Sequence, residues 1–419
     1  MSKPIAIVLG GTVPHCELIR QLQDRGYYTV LLDYLDDSPA KKVADEHVQE
    51  STLDQEAVLR VAKEKNADLV ITGCVDQANI TACYVMEKLG KHVPYSYETA
   101  LKVTNKGEMK RIMMEQGIPT SRYVYIDSDQ QDINIDLRYP VMVKPADSNS
   151  ANGVKKAYNE DEMKTYLKSA IEISRNSRAI VEEFVTGQEI SAYCYIKDNK
   201  AKLLMTAERL SVLDGEDQVI KCYSSIAPAR ISPQAKKNAE DVATRIAQAF
   251  GLNDTPLFYQ GIVNGDRIDV IEFAPRVGGG SCFRTIKGNT GFDVITATIH
   301  SWLGEPVTFE TWSEPSHIYV VNTVYGKNGT YDHLTGVDEV ISSGLAEDVL
   351  QIRVKGDKLD NSRASTSRVC FFIVKAENEE DMLSKIEKVY DTLDVIDDNG
   401  NSLLRKNLSV YALWNEIKL

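Results

Sequence analysis

The sequence predicts a protein of mixed α/β and α+β class that is built from several domains. Residues 1–93 alternate continuous apolar runs with helical patterns, which is typical of a parallel, doubly wound sheet. The stretches 94–305 and 306–419 are richer in strand patterns. The chain has 419 residues, and at roughly 100–200 residues per domain this length fits two to four domains.

The N-terminal elements follow from the positions of the apolar runs. Ile5–Leu9 and Tyr28–Leu32 are continuous apolar segments, and the helical pattern between them stops at Gly26. A second helical pattern over Gln55–Lys65 precedes the apolar segment Asp68–Gly73. This strand–helix–strand alternation is the pattern of parallel strands joined by crossover helices.

The remaining elements are predicted from periodicity and from helix stop signals. A helix ends near Gln116, where Gly117 follows, and the helix over Gln234–Phe250 has Gly251 as its C-terminal cap. In the last stretch we expect strands and a single amphipathic helix, Glu379–Leu393. Further segments are predicted as the strands Tyr139–Pro145, Ala179–Phe184, Tyr259–Val263 and Ile268–Phe273 and the helix Glu160–Arg175.

An excess of acidic residues limits the partners. Lys and Arg number 48 and Asp and Glu number 61, which gives a net charge of −13. Such a chain repels nucleic-acid phosphates and anionic lipid, so we expect neither nucleic acid nor a membrane as a partner. The seven cysteines are scattered without a CxxC pair, which indicates reduced thiols and a cytoplasmic location.

Two polar features follow the strand that ends at Lys144. A lysine at the end of a buried strand needs a polar partner, and an anionic phosphate is one such partner. The small polar loop Asp147–Gly153 comes next, and its backbone N–H groups could approach an anion. The alternatives are a lysine paired with a carboxylate or directed to solvent, and an ordinary surface loop.

The segment Val181–Glu189 leaves carboxylates at both ends of a turn that contains Gly187. An extended segment of this kind could offer a carbonyl and an N–H group to an adenine edge and a carboxylate to a ribose. A surface hairpin with solvated acidic side chains is the alternative.

A second pair of strands flanks the turn Asn264–Arg267. Gln260 and Glu272 are separated by an even number of residues across this turn, so they can lie side by side on one face. Oxygen ligands arranged in this way suit Mg²⁺. Arg276 follows and could neutralise charge on a phosphoryl group, although an Arg–Glu surface pair is the simpler alternative.

Taken in order, these features resemble the ATP-grasp superfamily of ATP-dependent carboxylate–amine ligases, and most closely its L-amino acid ligase, carbamoyl phosphate synthetase and phosphoribosylglycinamide synthetase groups. The resemblance implies a Rossmann-like pre-ATP-grasp domain at 1–93, an ATP-grasp domain at 94–305 with a lid at about 120–190, and a C-terminal β-rich domain at 306–419 that completes the substrate site. It implies that a substrate carboxylate is activated by ATP as an acyl phosphate and transferred to an amine, with release of ADP and phosphate. Amino-acid or other small-acid substrates, Mg²⁺ and a homodimer are implied in the same way.

The resemblance also implies roles for individual residues. The implied ATP-binding residues are Lys106, Lys144, Ser148, Ser150, Gly153, Glu182, Glu183, Val185 and Glu189. The implied metal ligands are Gln260 and Glu272. Arg276 is implied to be catalytic and, with Gly278 and Gly279, to bind the substrate.

Two positions depart from the family pattern, and the second keeps other functions open. The first metal ligand of the family is often Glu and is Gln260 here, as it is in the carbamoyl phosphate synthetase group. The family usually has Asn between Glu272 and Arg276, and this chain has Ala274, so one oxygen ligand is missing. An ATP-binding protein with a degenerate catalytic site is therefore the alternative function. A dinucleotide-dependent oxidoreductase is a third interpretation, but Gly10-Gly11 lacks the third glycine of a GxGxxG fingerprint.

Overall fold

A computed structural model describes residues 3–127, 136–147, 153–215 and 218–417. The strands are β1 (Ile5–Leu9), β2 (Tyr28–Leu32), β3 (Glu46–Val48), β4 (Leu69–Ile71), β5 (Tyr123–Asp127), β6 (Val141–Pro145), β7 (Lys155–Ala157), β8 (Arg178–Glu183), β9 (Gln188–Lys197), β10 (Lys200–Asp214), β11 (Val219–Ala227), β12 (Thr255–Asn264), β13 (Arg267–Ala274), β14 (Ile318–Tyr325), β15 (Gly329–Thr335), β16 (Asp348–Gln351), β17 (Lys358–Leu359), β18 (Arg368–Ala376) and β19 (Asp394–Asp397). The helices are α1 (Val13–Asp24), α2 (Gln55–Glu64), α3 (Asp76–Lys88), α4 (Tyr97–Thr104), α5 (Lys106–Glu115), α6 (Glu160–Ile173), α7 (Pro233–Phe250), α8 (Cys282–Thr290), α9 (Val294–Leu303), α10 (Val337–Ser342), α11 (Ala364–Ser367), α12 (Glu379–Thr392) and α13 (Val410–Ile417), with a 3₁₀ helix at Pro39–Lys42. Within the described ranges, none of the helices has both the length and the apolar character that crossing a bilayer requires.

The N-terminal strands form a parallel sheet in the order β3-β2-β1-β4. β1 pairs with β2 from Ile5 opposite Tyr28 to Leu9 opposite Leu32, and its centre pairs with β4 on the other side. The residues Ala6–Leu9 are fully buried, which is why this strand is a continuous apolar run rather than an alternating one. The predicted parallel sheet is confirmed.

The chain divides into two compact units, and each is assembled from three stretches of sequence. The first unit comprises Met1–Thr120, Ser191–Thr206 and Ile231–Glu314. The second unit comprises Ser121–Ile190, Ala207–Arg230 and Pro315–Leu419. The division into domains at residues 93 and 305 stays a prediction.

In the first unit, β12 and β13 form the predicted hairpin around a turn at Gly265. Helix α7 packs against it, and the rings of Phe250 and Phe273 meet edge to face with their centroids 4.8 Å apart. The helix ends where it was predicted to end, because Gly251 adopts the left-handed conformation, with φ of 64°, that terminates many helices.

In the second unit, a sheet in the order β5-β8-β6-β7 is antiparallel throughout. Helix α6 covers one face, and its core includes Val141, Val143, Ala179 and Val181. Alternate residues of the two central strands therefore lie on the opposite face. That opposite face carries the side chains that matter for the predicted site.

The C-terminal part of the second unit is built on β14, which pairs with β11 and β18, while β16 pairs with β18. A smaller sheet has the order β17-β15-β19. The predicted amphipathic helix is confirmed as α12, but the expectation of a single helix is wrong, because α10, α11 and α13 are also present. These helices have six, four and eight residues, so their apolar residues do not repeat over enough turns to give a helical signal.

Candidate active site

The hairpin β12–β13 holds the two predicted metal ligands side by side. Gln260 lies directly opposite Glu272 in the antiparallel register, so the predicted neighbourhood is confirmed. The even spacing is not its cause, because pairs nearer the turn, such as Asn264 and Arg267, have odd separations. The register shifts immediately after Gln260, at Gly261, where a Cβ atom would come within 2.9 Å of the Ile268 side chain. One amide and one carboxylate thus share a face of the hairpin, which brings two oxygen donors together.

Lys106 is the first residue of helix α5 and approaches the same carboxylate. The Asn105 side chain accepts hydrogen bonds from the N–H groups of Gly107 and Glu108, at 3.0 and 3.1 Å, and so caps the helix. With the first turn fixed, Lys106 Nζ lies 3.4 Å from Glu272 Oε2. The two side chains are 25% and 40% exposed, so an incoming anion can reach the lysine.

Arg276 lies just beyond β13 and forms a bidentate ion pair that the sequence did not reveal. Its Nε and Nη2 atoms donate to the two oxygens of Asp76, at 2.6 and 2.8 Å. Burial alone lowers the pKa of Arg276, but the adjacent Asp76 carboxylate outweighs it and holds the pKa above its ordinary value. The guanidinium therefore carries its charge permanently, in a fixed orientation.

Asp76 is a functional candidate that the sequence analysis missed. It is the first residue of α3 and follows β4, at the carboxyl edge of the parallel sheet. Polar side chains at this edge commonly face ligands in doubly wound sheets. That position was the available signal, but nothing local connects Asp76 with an arginine 200 residues away.

The segment after Arg276 contains the two predicted substrate-binding glycines. A Cβ atom at Gly278 would come within 2.8 Å of the Tyr193 ring and 2.9 Å of Cys282 Sγ, so a larger residue does not fit there. Gly279 is exposed and has open space around it. The segment leads into helix α8, and its backbone is accessible at Gly279.

In the second unit, the predicted phosphate-binding Lys144 forms an ion pair with Glu182. Met142 lies opposite Glu182 in the register of β6 and β8, and Lys144 is two residues further along the same face. The side chains of Lys144 and Glu182 are only 17% and 6% exposed. Ser121 Oγ also donates to Glu182 Oε2, at 3.1 Å, so the carboxylate is held on two sides.

The predicted adenine-binding segment begins where β8 ends. Glu183 is the last residue of the ladder with β6, and Phe184 N–H donates to Pro140 O at 3.0 Å. The Glu183 carboxylate pairs with Arg122 and Arg138, at 3.3 and 3.6 Å. Val185 follows outside the strand and is half-buried.

Four further ATP-binding positions were predicted, and the structure describes two of them, Glu189 and Gly153. Glu189 Oε1 accepts a hydrogen bond from Arg209 Nε at 2.7 Å, and both side chains are partly exposed. Gly153 has a φ of +74°, and a Cβ atom there would come within 2.8 Å of Ile173, so this position requires glycine. Ser148 and Ser150 lie outside the described residues.

The chemistry of the donor set decides which metal the site could hold. Among the described residues, no group of three or more His, Cys, Asp or Glu side chains could hold a metal ion. Gln260 and Glu272 supply oxygen donors, whereas Ala274 is 6% exposed and supplies none. Mg²⁺ can bind with only two ligands from the protein, because water molecules and nucleotide phosphates supply the rest of its octahedral coordination. The residues therefore fit Mg²⁺ that arrives with a nucleotide.

The sequence is similar to known proteins over part of its length. The family model described as "ATP-grasp domain" matches residues 137–285. A formate-dependent phosphoribosylglycinamide formyltransferase of Sulfurisphaera tokodaii is 28% identical over 278 residues, which are 64% of this chain and 68% of that protein. The protein of the same name from Ignicoccus hospitalis is 29% identical over 261 residues, which are 60% of this chain and 63% of that protein. The chain thus spans less than two thirds of the second relative.

The fold is shared with solved structures over almost the whole chain. The L-amino acid ligase from Bacillus licheniformis superposes with a TM-score of 0.78 at 18% identity, covering 95% of this chain and 99% of the other. The phosphoribosylglycinamide synthetase from Anaerococcus prevotii gives 0.73 at 17% identity, covering 95% and 100%. With the family match over residues 137–285, these likenesses confirm the fold that the resemblance implied: the chain contains an ATP-grasp domain and shares its overall fold with solved ATP-grasp proteins.

Proposed function

We propose that this chain activates a small carboxylic acid with ATP as an acyl phosphate and transfers the acyl group to an amine, with release of ADP and phosphate. The observation that carries the proposal is the cluster in the first unit. There Gln260 and Glu272 face each other, Lys106 lies 3.4 Å from Glu272, and Arg276 follows the same strand. Two oxygen donors with two adjacent cations are the groups that phosphoryl transfer requires.

The nucleotide-binding part of the proposal concerns the second unit. We propose that Lys144 contacts an ATP phosphate, that the Glu183 carbonyl and the Val185 N–H group bind the adenine, and that Glu189 binds the ribose. Glu182 positions Lys144 through their ion pair. Ser148, Ser150 and Gly153 belong to the loop proposed to cover the phosphates. Gln260 and Glu272 would hold Mg²⁺, which when bound neutralises charge on the nucleotide phosphates.

Two displacements make up the proposed reaction. A carboxylate oxygen of the acid attacks the γ-phosphorus, the bond to ADP breaks, and Lys106 and Arg276 stabilise the negative charge on the transferred group. The amine nitrogen then attacks the acyl carbon, loses a proton, and inorganic phosphate leaves. Gly278 and Gly279 would present backbone N–H groups to the substrate carboxylate. No covalent bond to the protein is required.

The identity of the acid and the amine is tested by ADP release in a matrix of substrates. Amino-acid pairs form one arm, and formate with phosphoribosylglycinamide forms the other, because the relatives' names specify that pair. ADP release that requires both an acid and an amine, together with an amide product by mass spectrometry, would support the proposal. ADP release that needs only water would contradict it.

A second candidate function is ATP binding without turnover, and Ala274 is the observation that favours it. The side chain is buried in β13 opposite Phe258 and offers no oxygen to a metal. This function predicts ATP binding by calorimetry with no ADP release from any substrate pair. Ala274→Asn separates the two functions, because it adds the missing donor and should create turnover only in a protein disabled at this position.

A homodimer and a cytoplasmic location complete the proposal, and both rest on analogy with the family. All seven cysteines are free thiols, which suits a reducing compartment. Light scattering of the purified protein tests the dimer: a mass of one chain, 46.7 kDa, at working concentration would contradict it.

A further inference from the structure

His15 is a fully buried histidine whose hydrogen bonds join two loops of the first unit. Its ring lies against Gly10 and Gly73, where Cβ atoms would be 3.1 and 3.6 Å from ring carbons. Gly10 follows β1 and Gly73 follows β4, and these strands are neighbours in the parallel sheet. The ring therefore occupies the carboxyl edge of the sheet, between the ends of the neighbouring strands β1 and β4.

The hydrogen bonds define the tautomer of this ring. The backbone N–H group of Thr12 donates to Nδ1 at 3.2 Å, so Nδ1 carries no proton. Nε2 then holds the proton and donates to Thr72 Oγ1 at 3.1 Å. Thr72 Oγ1 in turn donates to the Leu9 carbonyl at 2.8 Å. Thr12 Oγ1 also lies 2.8 Å from Nδ1 and can donate to it, so both ring nitrogens are hydrogen-bonded.

Two explanations of this arrangement are distinguishable. As the third residue of α1, His15 accepts from the helix N-cap residue, Thr12, as a glutamate does in an ordinary capping box. Helix capping alone would not require the second bond, to Thr72. That bond reaches the segment between β4 and α3, and Thr12 Oγ1 reaches the same segment through Cys74 Sγ at 3.4 Å.

We propose that His15 is a positioning residue: through Thr72 it fixes the segment that leads to Asp76, and Asp76 fixes the direction of Arg276. Asp76 is four residues from Thr72 and holds the Arg276 guanidinium by two hydrogen bonds at 2.6 and 2.8 Å. This inference rests on the proposed function, because that function makes Arg276 a catalytic residue. In this proposal the carboxyl edge of the N-terminal sheet orients Arg276 and does not bind a dinucleotide.

Thr72→Val is the leading variant, because valine keeps the shape of threonine and leaves the cap of α1 intact. We expect kcat to fall roughly tenfold while the KM for ATP stays within about twofold, since the proposed adenine and ribose contacts lie in the second unit. Thr298→Val is the matched control: Thr298 is also buried, and its hydroxyl donates only to Val294 O within α9. It should leave kcat unchanged.

Coupling with Asp76→Asn shows whether the effect passes through the ion pair. If it does, Thr72→Val lowers kcat much less in the Asp76→Asn background than in the unaltered protein, because the two changes disable one arrangement. Independent, additive losses would overturn the proposal. So would a Thr72→Val protein that keeps full kcat.

A spectroscopic measurement tests the same inference without turnover. The Arg276 Nε–H signal, assigned by its loss in Arg276→Lys, should exchange with solvent roughly tenfold faster in Thr72→Val and at the original rate in Thr298→Val. Nitrogen shifts should also show His15 neutral with its proton on Nε2. Faster exchange in a protein that forms no product would refute the proposed function and leave the positioning role standing. Unchanged exchange, or a proton on Nδ1, would refute the positioning role whatever the activity.

Discussion

At the scale of single residues, the candidate site depends on which charge neighbours which. Glu272 has Gln260 opposite it and Lys106 Nζ 3.4 Å away, so its carboxylate can serve both a metal and a cation. Arg276 is held instead by Asp76. Lys106 and Arg276 thus have separate carboxylate partners, so a single substitution can remove one ion pair and leave the other intact.

Glu272→Gln removes the carboxylate charge and keeps the side-chain size. We expect ADP release to fall at least about a hundredfold, because Mg²⁺ loses its one charged ligand in the pair and Lys106 loses its partner. Steady-state ADP release measures this effect, and unfolding in urea serves as the control for folding. A variant with full activity would contradict the assignment of Glu272.

His15 makes the folded state sensitive to pH. Burial is the main cause of its low pKa, the Thr12 backbone hydrogen bond opposes it, and the charge of Arg276 adds to it; the pKa falls from 6.5 to about 4. The unfolded chain therefore binds the extra proton first, so stability is complete above pH 6.5 and declines as the pH falls towards 4. The total effect is on the order of 3 kcal/mol.

Replacing the ring removes this pH dependence. Between pH 6.5 and 4, the free energy of unfolding of His15→Phe should fall less steeply than that of the unaltered protein. Thr298→Val is the control, because it changes a buried side chain without removing a titratable group and should leave the slope unaltered. Parallel slopes for His15→Phe and the unaltered protein, from urea titrations at each pH, would show that His15 is not held neutral.

Which residues could be predicted depended on how far apart their partners are in sequence. Gln260 and Glu272 share one hairpin, so turn signals were sufficient to place them on neighbouring strands, but their direct pairing depends on the register shift at Gly261, which the sequence does not indicate. Asp76 and Arg276 are 200 residues apart, and no local pattern carries such a contact. Lys144 was recognised as a lysine that needs a polar partner, but choosing Glu182 required the register between β6 and β8.

At the scale of elements, helix α5 shows how a cap places the side chain of Lys106, a candidate site residue. Asn105 ends α4 and caps α5, and Lys106 is the first residue after this junction. The side chain of Asn105 is the only part of the cap that a substitution can remove without changing the backbone. Lys106 therefore depends on its neighbour for its direction.

Asn105→Ala should cost about 1 kcal/mol of stability, because two N–H groups of the first turn lose their acceptor. We also expect a higher KM for ATP, since Lys106 is no longer held near Glu272. Asn105→Asp keeps an acceptor oxygen and is the matched control. Urea unfolding and steady-state kinetics with ATP compare the two variants. The same stability and the same KM for ATP in both would show that the cap does not orient Lys106.

Secondary-structure elements were predicted well where a clear apolar pattern marks them and poorly where the element is too short to show one. The predicted strands Ile5–Leu9 and Tyr28–Leu32 have the observed bounds, because both faces of a parallel sheet are buried and the apolar run is continuous. The helices α10, α11 and α13 were missed, since their stability comes from packing in the C-terminal core rather than from their own pattern.

At the scale of the whole molecule, the chain forms two units from interleaved segments, and no composition change marks their boundaries. The boundaries at Ile190 and Thr206 fall inside β9 and β10, where the sequence shows only continuous strand. The second unit also holds a charged cluster at its C-terminal end. Lys221, which is fully buried, and Arg405 both bind Asp214, at 2.7 and 2.6 Å.

The cluster ties the C-terminal segment to β10 and β11, so Arg405→Ala should destabilise the second unit by about 2 kcal/mol. Arg405, helped by Lys221, lowers the pKa of Asp214 from 3.8 to about 2, so this contribution is complete above pH 3.8 and is lost as the pH falls towards 2. Lys406→Ala is the matched control, because its ion pair with Asp391 is exposed and contributes little.

Tryptophan fluorescence can report this change for the second unit alone. Of the three tryptophans, Trp302 and Trp312 lie in the first unit and Trp414, which is buried, lies in the second. In a protein with phenylalanine at the first two positions, Arg405→Ala should lower the urea midpoint of Trp414 fluorescence at pH 7, and Lys406→Ala should not. An unchanged midpoint would mean that the fully buried Lys221 alone keeps Asp214 in place, because one cation would then suffice to hold the carboxylate at the end of β10.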